Sequence, residues 1–371
     1  MDDLGNYSVS IEPLDGYIGL KNEWLNLEEK SNCSFFLSWT WISTWLSAFK
    51  PTCFVLKVKD ISDQKIAGLA LLTRSKSTKW NHFPSSRVHM HQTGDPVCDQ
   101  IWTEYNGLLV KESNKLLVFS AAMHYLKTNF PSWDELVVGA ITKDDAVLIE
   151  QSTGLERHEL WEAPAYGVDL TKIANSQSAY LSSLSSNSRY QIRRSLKRYE
   201  SQSGALTLHP AQSLTEALSY LHATAPFHLE RWGSTVNQSG FANPSFVKFH
   251  QTLINNAWHQ HQIDFIKLTS GKRVLGYFYN FLYRGTVYFY LSGLCSEKDS
   301  KLKPGLSGHT LCIQNYANKG FSYYDFMGGN ERYKASLGKQ GDELFKVSFQ
   351  KQKLKFKIEN VIRKLKQSIQ G

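Results

Sequence analysis

The segment Tyr323-Tyr-Asp-Phe-Met-Gly-Gly-Asn-Glu-Arg-Tyr-Lys334 gathers two carboxylates, a phenol and an ammonium. Its first residues read as a strand that ends in an acid, Asp325. Gly328 and Gly329 then permit a sharp turn, after which Glu331, Tyr333 and Lys334 fall within one helical turn. A carboxylate can take a proton, and a phenol or ammonium can supply or stabilise one. The end of a crossover strand is also where open α/β sheets place ligands. The plain competitor is a tight turn closed by a surface ion pair.

Upstream, Lys303-Pro-Gly305-Leu306-Ser307-Gly308 opens a helix that runs to Lys319, with Gly320 behind it as a terminating glycine. A strand, Val287–Leu294, precedes it and another, Ser322–Phe326, follows, so the order is strand, glycine-bearing loop, helix, strand. The first amides of such a helix bind phosphate or pyrophosphate, which makes Lys303, Gly305, Leu306, Ser307 and Gly308 the candidate cofactor-binding residues. A second basic stretch, Asn187 to Tyr199, has Asn187 as its expected cap. Ile192, Leu196 and Tyr199 form its apolar face, and Arg189, Arg193 and Lys197 a stripe at steps of four. That stripe is either a solvated face or a dock for an acidic group. Arg231, Trp232 and Tyr333 join it as candidate substrate-binding residues. No GxGxxG, GxxxxGK[ST] or GxSxG string is present. His89, His91, His259 and His261 read as surface histidines without companion ligands, so no metal is expected.

The elements that must position these groups follow from periodicity. Helices are predicted over Tyr17–Lys30, Trp39–Phe49, Asn114–Lys127, Asp144–Gln151 and Phe241–His259, and strands over Cys53–Val58, Ile66–Leu72, Leu136–Val138, Phe265–Leu268 and Val274–Leu282. CFVLKVKDISDQKIAGLALL and DFIKLTSGKRVLGYFYNFL share one plan: strand, polar turn, basic residue, glycine, strand. Each follows an aromatic-bearing helix. Two tandem copies of one α/β fold with a mixed sheet are the economical explanation. The domain plan is a degenerate copy over 1–172, a second copy over 173–345, and a last strand with a basic amphipathic helix over 346–371.

The chain has 371 residues with 42% hydrophobic and 20% charged side chains, enough for two ordinary domains without disulfides. Five cysteines, none at CxxC spacing, suit a reducing compartment. No signal peptide or spanning segment is visible, so a cytoplasmic location is expected. From Lys346 onward eight Lys and Arg face Glu359 alone, so this tail carries +7 of the formal +9. The tail helix either packs with a solvated lysine face or meets an anionic membrane surface or a polyanionic carrier. A charge so confined argues against DNA binding.

The DFMGGNERYK pattern, with the KPGLSGH loop-helix and the NSRYQIRRSLKRYE helix before it, resembles the CelD-like acetyltransferases of bacterial polysaccharide clusters. These belong to the GNAT superfamily and are related to the Fem-type aminoacyl transferases, which carry two GNAT-like domains in tandem. The resemblance runs from about Ser176 to Leu337 and more loosely through FFLSWTWISTW in the first half. It implies direct acyl transfer from a thioester or ester to an amino or hydroxyl group of a sugar, nucleotide-sugar or envelope precursor. It implies acyl-CoA as donor. The usual R/Q-x-x-G-x-G/A loop, however, has Leu302 where Arg or Gln would stand, which leaves acyl carrier protein or aminoacyl-tRNA as other donors. Asp325 or Glu331 would take the acceptor proton. Tyr290 or Tyr333 would serve the leaving group, and Lys334 would act itself or orient an acid. A catalytically silent binding protein in envelope assembly is the alternative. The groove beside Gly305 distinguishes the two, open if catalytic and plugged by side chains if silent.

Overall fold

The computed structural model describes residues 6–77, 84–173, 177–353, 356 and 358. The chain divides into two compact units, Met1–Glu162 with Leu344–Gly371, and Ala163–Glu343. Both are mixed α/β.

In the first unit the elements are β1 (Tyr7–Pro13), α1 (Leu20–Glu29), α2 (Trp39–Phe49), β2 (Cys53–Asp60), β3 (Ile66–Ser77), β4 (Ser85–Met90), β5 (Leu109–Val110), α3 (Lys115–Asn129), β6 (Glu135–Thr142) and α4 (Lys143–Thr153). The strands run β1-β2-β3-β4-β6-β13, with β5 beside β3; β13 (Lys339–Gln350) is the last strand among the described residues and enters this sheet from Leu344 onward. Every neighbouring pair along that row is antiparallel except β4 with β6, which is parallel. Its core packs Val118, Phe119, Ala122 and Leu126 of α3 against Leu56, Val58, Leu72, Val88 and Leu136. These helix residues recur at i, i+4 and i+8, the spacing of a buried stripe.

The second unit takes β7 (Glu156–Asp169) from Ala163 onward. It continues through α5 (Gln177–Ser183), α6 (Ser186–Gln202), β8 (Leu206–Pro210), α7 (Leu214–Trp232), α8 (Pro244–Ala257), β9 (Ile263–Ser270), β10 (Arg273–Tyr283), β11 (Thr286–Leu294), α9 (Pro304–Asn318), β12 (Tyr323–Gly328) and α10 (Arg332–Leu337). Its strand order is β8-β9-β10-β11-β12-β7. The pairing senses repeat those of the first unit, with β11 and β12 the one parallel pair. The hairpins β2–β3 and β9–β10 hold the same places in the two rows. In both units a helix, α3 or α9, joins the two parallel strands, as a parallel pair requires.

Local chemistry sets the boundaries of the site-bearing helix. Pro304 at N1 of α9 gives up no intrahelical bond. At its end Gly320 has φ +82°, the Phe321 amide reaches the Tyr316 carbonyl at 3.1 Å, and the Gly320 amide reaches Ala317 at 3.0 Å. Phe321 folds back onto Tyr316 with ring centroids 5.4 Å apart, a terminating motif closed by its own apolar contact. Helix α6 is capped by Ser185, whose Oγ accepts from the Ser188 amide, and not by Asn187, which is the second residue of the helix and accepts from Gln191. The last strand begins at Lys339, earlier than 346. The amphipathic helix expected beyond it lies outside the described residues apart from Phe356 and Ile358. Among the described residues no helix is long and apolar enough to cross a membrane.

Candidate active site

The parallel pairing of β11 with β12 lasts three residues, Thr286↔Tyr323, Val287↔Tyr324 and Tyr288↔Asp325, and then stops. Two irregularities drive the strands apart. Along β11 the pairing with β10 shifts so that Tyr279 faces Leu291 while Asn280 faces Phe289, leaving Tyr290 as the extra residue of a bulge. Along β12 the pairing with β7 shifts between Asp325 and Met327, and Met327 adopts φ +62°. A bulge bends its strand, so two bulges open a gap between Phe289–Leu294 and Phe326–Gly328. Among the described residues no isolated bridge crosses it.

Side chains from several elements gather beside this opening. His309 of α9 is 1% exposed, its Nδ1 lies 3.1 Å from the Tyr324 hydroxyl, and its ring stacks on Tyr333 at 5.3 Å and 11°. Phe278, Phe289 and Phe326 wall it in at 4.9, 4.4 and 5.1 Å. That burial pushes the imidazole down to about 3, and the charges of Lys334 and Arg231 add to the shift. His309 is thus a neutral ring that fixes Tyr333. Burial pushes the Tyr333 phenol well above its ordinary value, with the Glu331 carboxylate adding to it and the Arg231 guanidinium opposing. Lys334 is buried; its Nζ donates to the Gly328 carbonyl at 2.6 Å and lies 3.3 Å from Glu331 Oε2. Gly329, at φ +154°, leaves the room this pair needs: a Cβ there would run into Glu331 and Lys334. The fields of Arg231, at the end of α7, and Lys334 both act on His309, and those of Arg231 and Glu331 both act on Tyr333. The structure therefore brings His309, Glu331, Tyr333 and Lys334 together, with the Arg231 charge near enough to act on His309 and Tyr333.

Two expected catalytic residues are tied elsewhere. Asp325 Oδ1 accepts from the Met327 amide at 2.7 Å, which holds the β12 bulge. The Tyr290 hydroxyl meets His250 Nε2 at 3.0 Å, on the side of the sheet covered by α8. Trp232 is exposed and lies beside Arg231, whose guanidinium sits 5.1 Å from the indole centre.

The start of α9 is prepared differently from its neighbours. Helices α6, α7 and α8 have side-chain caps from Ser185, Ser213 and Asn243, whereas Lys303 caps α9 without a side-chain bond. The Ser307 amide already closes onto the Lys303 carbonyl at 3.0 Å. That leaves Gly305 and Leu306 with the helix's open amides. A Cβ at Gly305 would meet only Leu294 Cδ1, at 3.6 Å. Two of the five expected cofactor residues serve packing instead. Gly308 would drive a Cβ to 2.6 Å from Phe278, so it sets the approach of α9 to the sheet. Ser307 is fully buried and donates to Ser195 at 2.9 Å. Leu302 is buried in the core.

Helix α6 clamps the loop ahead of α9. Arg198 pairs with Asp299, the Tyr199 hydroxyl donates to Glu297 at 3.0 Å, and Ser195 Oγ accepts from the Lys303 amide at 2.9 Å. Arg193 and Lys197 are exposed and make no ion pair or hydrogen bond among the described residues; Arg189 donates to the Ser182 carbonyl at 3.2 Å.

The first unit repeats the opening and fills it. Strands β4 and β6 pair only at Arg87↔Glu135, Val88↔Leu136 and His89↔Val137. Past that point Asn106 bridges to Ile141, its amide reaching the Ala140 carbonyl at 3.2 Å. The Asn106 side chain donates to the Met90 carbonyl at 2.8 Å and meets His91 Nδ1 at 2.9 Å. Gln92 lies so close to Gly139 that a Cβ there would sit 2.7 Å from its amide. His89 and His91, read from sequence as surface residues, are 5% and 1% exposed and belong to this plug. His259 and His261 are exposed.

The acetyltransferase (GNAT) domain family matches residues 186–335, from the first turn of α6 into α10. Curated proteins give no match by sequence. Among solved structures the chain is similar to FemX, with a TM-score of 0.59 at 11% identity over 89% of this chain and 96% of that one. It is also similar to L-PGS from Bacillus licheniformis, with 0.54 at 14% over 93% and 96%. A third match is the C-terminal domain of a putative lysylphosphatidylglycerol synthetase from Agrobacterium fabrum, with 0.53 at 8% over 90% and 91%. At these identities the likeness is one of fold. The splayed parallel strands and the uncapped helix after the first of them both lie within residues 186–335, the stretch that matches the acetyltransferase (GNAT) domain family.

Proposed function

We propose that the second unit transfers an acyl group from a thioester or ester donor to an amino or hydroxyl group of a sugar, nucleotide-sugar or cell-envelope precursor. The observation that carries this reading is the unbridged gap between β11 and β12, set beside its plugged counterpart in the first unit. The first unit then fits the expectation of a degenerate copy. The name lysylphosphatidylglycerol synthetase on one structural neighbour is compatible with an envelope acceptor.

A donor phosphate fits the start of α9. The open amides of Gly305 and Leu306 carry the helix's positive end, the glycine leaves the backbone approachable, and Lys303 adds a cation. The donor supplies an activated acyl carbonyl when bound. This chain's own groups do the rest. Backbone amides on the edge of β11 that faces the gap polarise the carbonyl, a fixed donor being worth most where water is excluded. Glu331 takes the acceptor proton, because Asp325 is committed to its own turn. Lys334 orients that carboxylate while anchored to Gly328. Tyr333, held protonated and flat against His309, donates a hydrogen bond to the leaving group. Arg231 and Trp232 receive the acceptor.

The test is a donor and acceptor screen. Purified protein is offered acetyl-CoA, longer acyl-CoAs, acylated carrier protein and aminoacyl-tRNA, with amino sugars and nucleotide-sugars as acceptors. Transfer from at least one donor, lost in Glu331→Gln, supports the proposal. Donor binding without transfer to any acceptor sinks it in favour of the silent reading.

A further inference from the structure

We infer that the outer face of α6 is a docking surface for an acidic acyl carrier protein, whose phosphopantetheine arm delivers the acyl group to the start of α9. The inference rests on the acyl-transfer reading above and narrows its donor.

Three observations lead to it. The first is mechanical. Ser195 bonds both the Lys303 amide and the Ser307 hydroxyl at 2.9 Å, so α6 is bolted to the donor end of α9. Arg193 and Lys197 stand two residues to either side of Ser195, and Arg198 and Tyr199 fasten the rest of the loop through Asp299 and Glu297. A partner seated on the outer face of α6, opposite the buried Ser195, is thereby held in a fixed position relative to the open amides of Gly305 and Leu306, and its arm must reach around the helix to them.

The second is charge. Residues 163–343 hold 19 Lys and Arg against 11 Asp and Glu, a net +8, while residues 1–162 hold 15 against 21, a net −6. The tail is therefore not the only basic region of the chain. On α6, Arg189, Arg193 and Lys197 form a straight row about 12 Å long at 1.5 Å per residue. Arg193 and Lys197 are unpaired among the described residues. Beside the row Tyr190 is 60% exposed, with the Arg194 guanidinium 5.1 Å from its ring centre. An exposed Tyr backed by a half-buried Arg next to a cationic row is the composition of a protein-docking anchor.

The third is the donor loop. Only two amides are open, and the position that would offer a polar side chain is the buried Leu302. This suits the single phosphodiester of a pantetheine arm better than a pyrophosphate with an adenosine behind it. An RNA carrier is held through many phosphate contacts along its backbone, whereas α6 offers three cations in one row. In the transfer itself the acceptor nitrogen or oxygen bonds the acyl carbon, the C–S bond of the arm breaks, and the acceptor's proton ends on the released thiol.

The experiment measures binding and transfer separately. Binding of a purified holo acyl carrier protein is read by fluorescence polarisation for the parent and for R193E/K197E, with melting curves confirming the fold. Transfer by the parent is compared for the acetylated carrier and for acetyl-CoA. We expect the double reversal to weaken carrier binding at least tenfold, the parent's binding to weaken steeply between 50 and 500 mM salt, and the parent to prefer the acetylated carrier at least tenfold in kcat/KM. Equal carrier binding by parent and variant, or no carrier preference over acetyl-CoA, overturns the inference while leaving acyl transfer standing. Transfer from aminoacyl-tRNA alone overturns it in favour of RNA. If no donor supports transfer yet the carrier binds with the expected charge and salt dependence, the docking surface stands and the acyl-transfer proposal fails.

Discussion

Two glycines three residues apart on α9 are predicted to respond oppositely to substitution. At Gly308 a Cβ would lie 2.6 and 2.8 Å from Phe278 ring carbons and 3.0 Å from Leu268 Cδ2. Restoring ordinary contact near 3.6 Å means moving the helix or the ring by about 1 Å, and Phe278 is fully buried against His309 with nowhere to go. Overpacking of this kind costs about 1–3 kcal/mol, and the gain in helix propensity from Gly to Ala returns about 1 kcal/mol. The net loss for Gly308→Ala is about 0–2 kcal/mol, a fall in Tm of up to about 6 °C at this domain size. Because the adjacent residue, His309, holds Tyr333, the transfer rate should fall as well. At Gly305 the nearest atom to a Cβ is Leu294 Cδ1 at 3.6 Å, an ordinary contact. Gly305→Ala should therefore melt within about 0.5 kcal/mol of the parent. A bulky residue such as Leu at 305 should raise the donor's dissociation constant about tenfold or more, since the phosphate must approach the backbone. Calorimetric melts and donor titrations on the same variants decide it. A Gly308→Ala more stable than the parent, or a Gly305→Leu that binds donor as the parent does, would refute the division of roles.

Other consequences follow from the same geometry. Single-turnover transfer by Glu331→Gln should fall by about 10²–10⁴-fold, whereas Asp325→Asn, which keeps an acceptor oxygen for the Met327 amide, should retain rates within about tenfold. Asn106→Ala removes the bonds to Met90 and His91 from a buried site and should cost about 3 kcal/mol by thermal melt, without raising donor stoichiometry above one per chain. Burial lowers His89, His91 and His228 to about 4 and His250 and His309 to about 3. The unfolded chain then binds more protons than the folded one below pH 6.5, so stability should rise with pH between about 4 and 6.5. His309→Phe should flatten that slope by about one proton in melts at stepped pH, and an unchanged slope would mean the ring is not held neutral.

The parts of the fold that the sequence makes legible are those whose burial is one-sided or punctuated. Trp39–Phe49, with Ser38 as cap, and the helix between Pro304 and Gly320 fall where periodicity and end signals put them. So do the two hairpins, because each has a polar turn between apolar runs. Strand β7 escapes because exposed and buried positions along Glu156–Asp169 carry charges, a Trp and a Pro with no clean alternation. Helix α7 escapes because Pro226 lies inside it. The site is half legible for a similar reason. Glu331 and Lys334 meet because three residues on a helix always do, so their pairing can be read from spacing. The commitment of Asp325 to Met327 depends on a bulge, and the partnership of His309 with Tyr324 and Tyr333 depends on three elements packing together. Neither leaves a local pattern. Asn106, which closes the first unit's opening, looks in sequence like any turn residue before a glycine.

The central claim is that the donor enters the opening of the second unit and not that of the first. Hydrogen–deuterium exchange read peptide by peptide tests it directly, with acetyl-CoA and acetylated carrier protein added in parallel. The account predicts slowed exchange with at least one of them across residues 288–294, 303–310 and 323–334, and no change across 87–92 and 105–142. Protection of the first unit's segments, or none in the second unit with either donor, would contradict it.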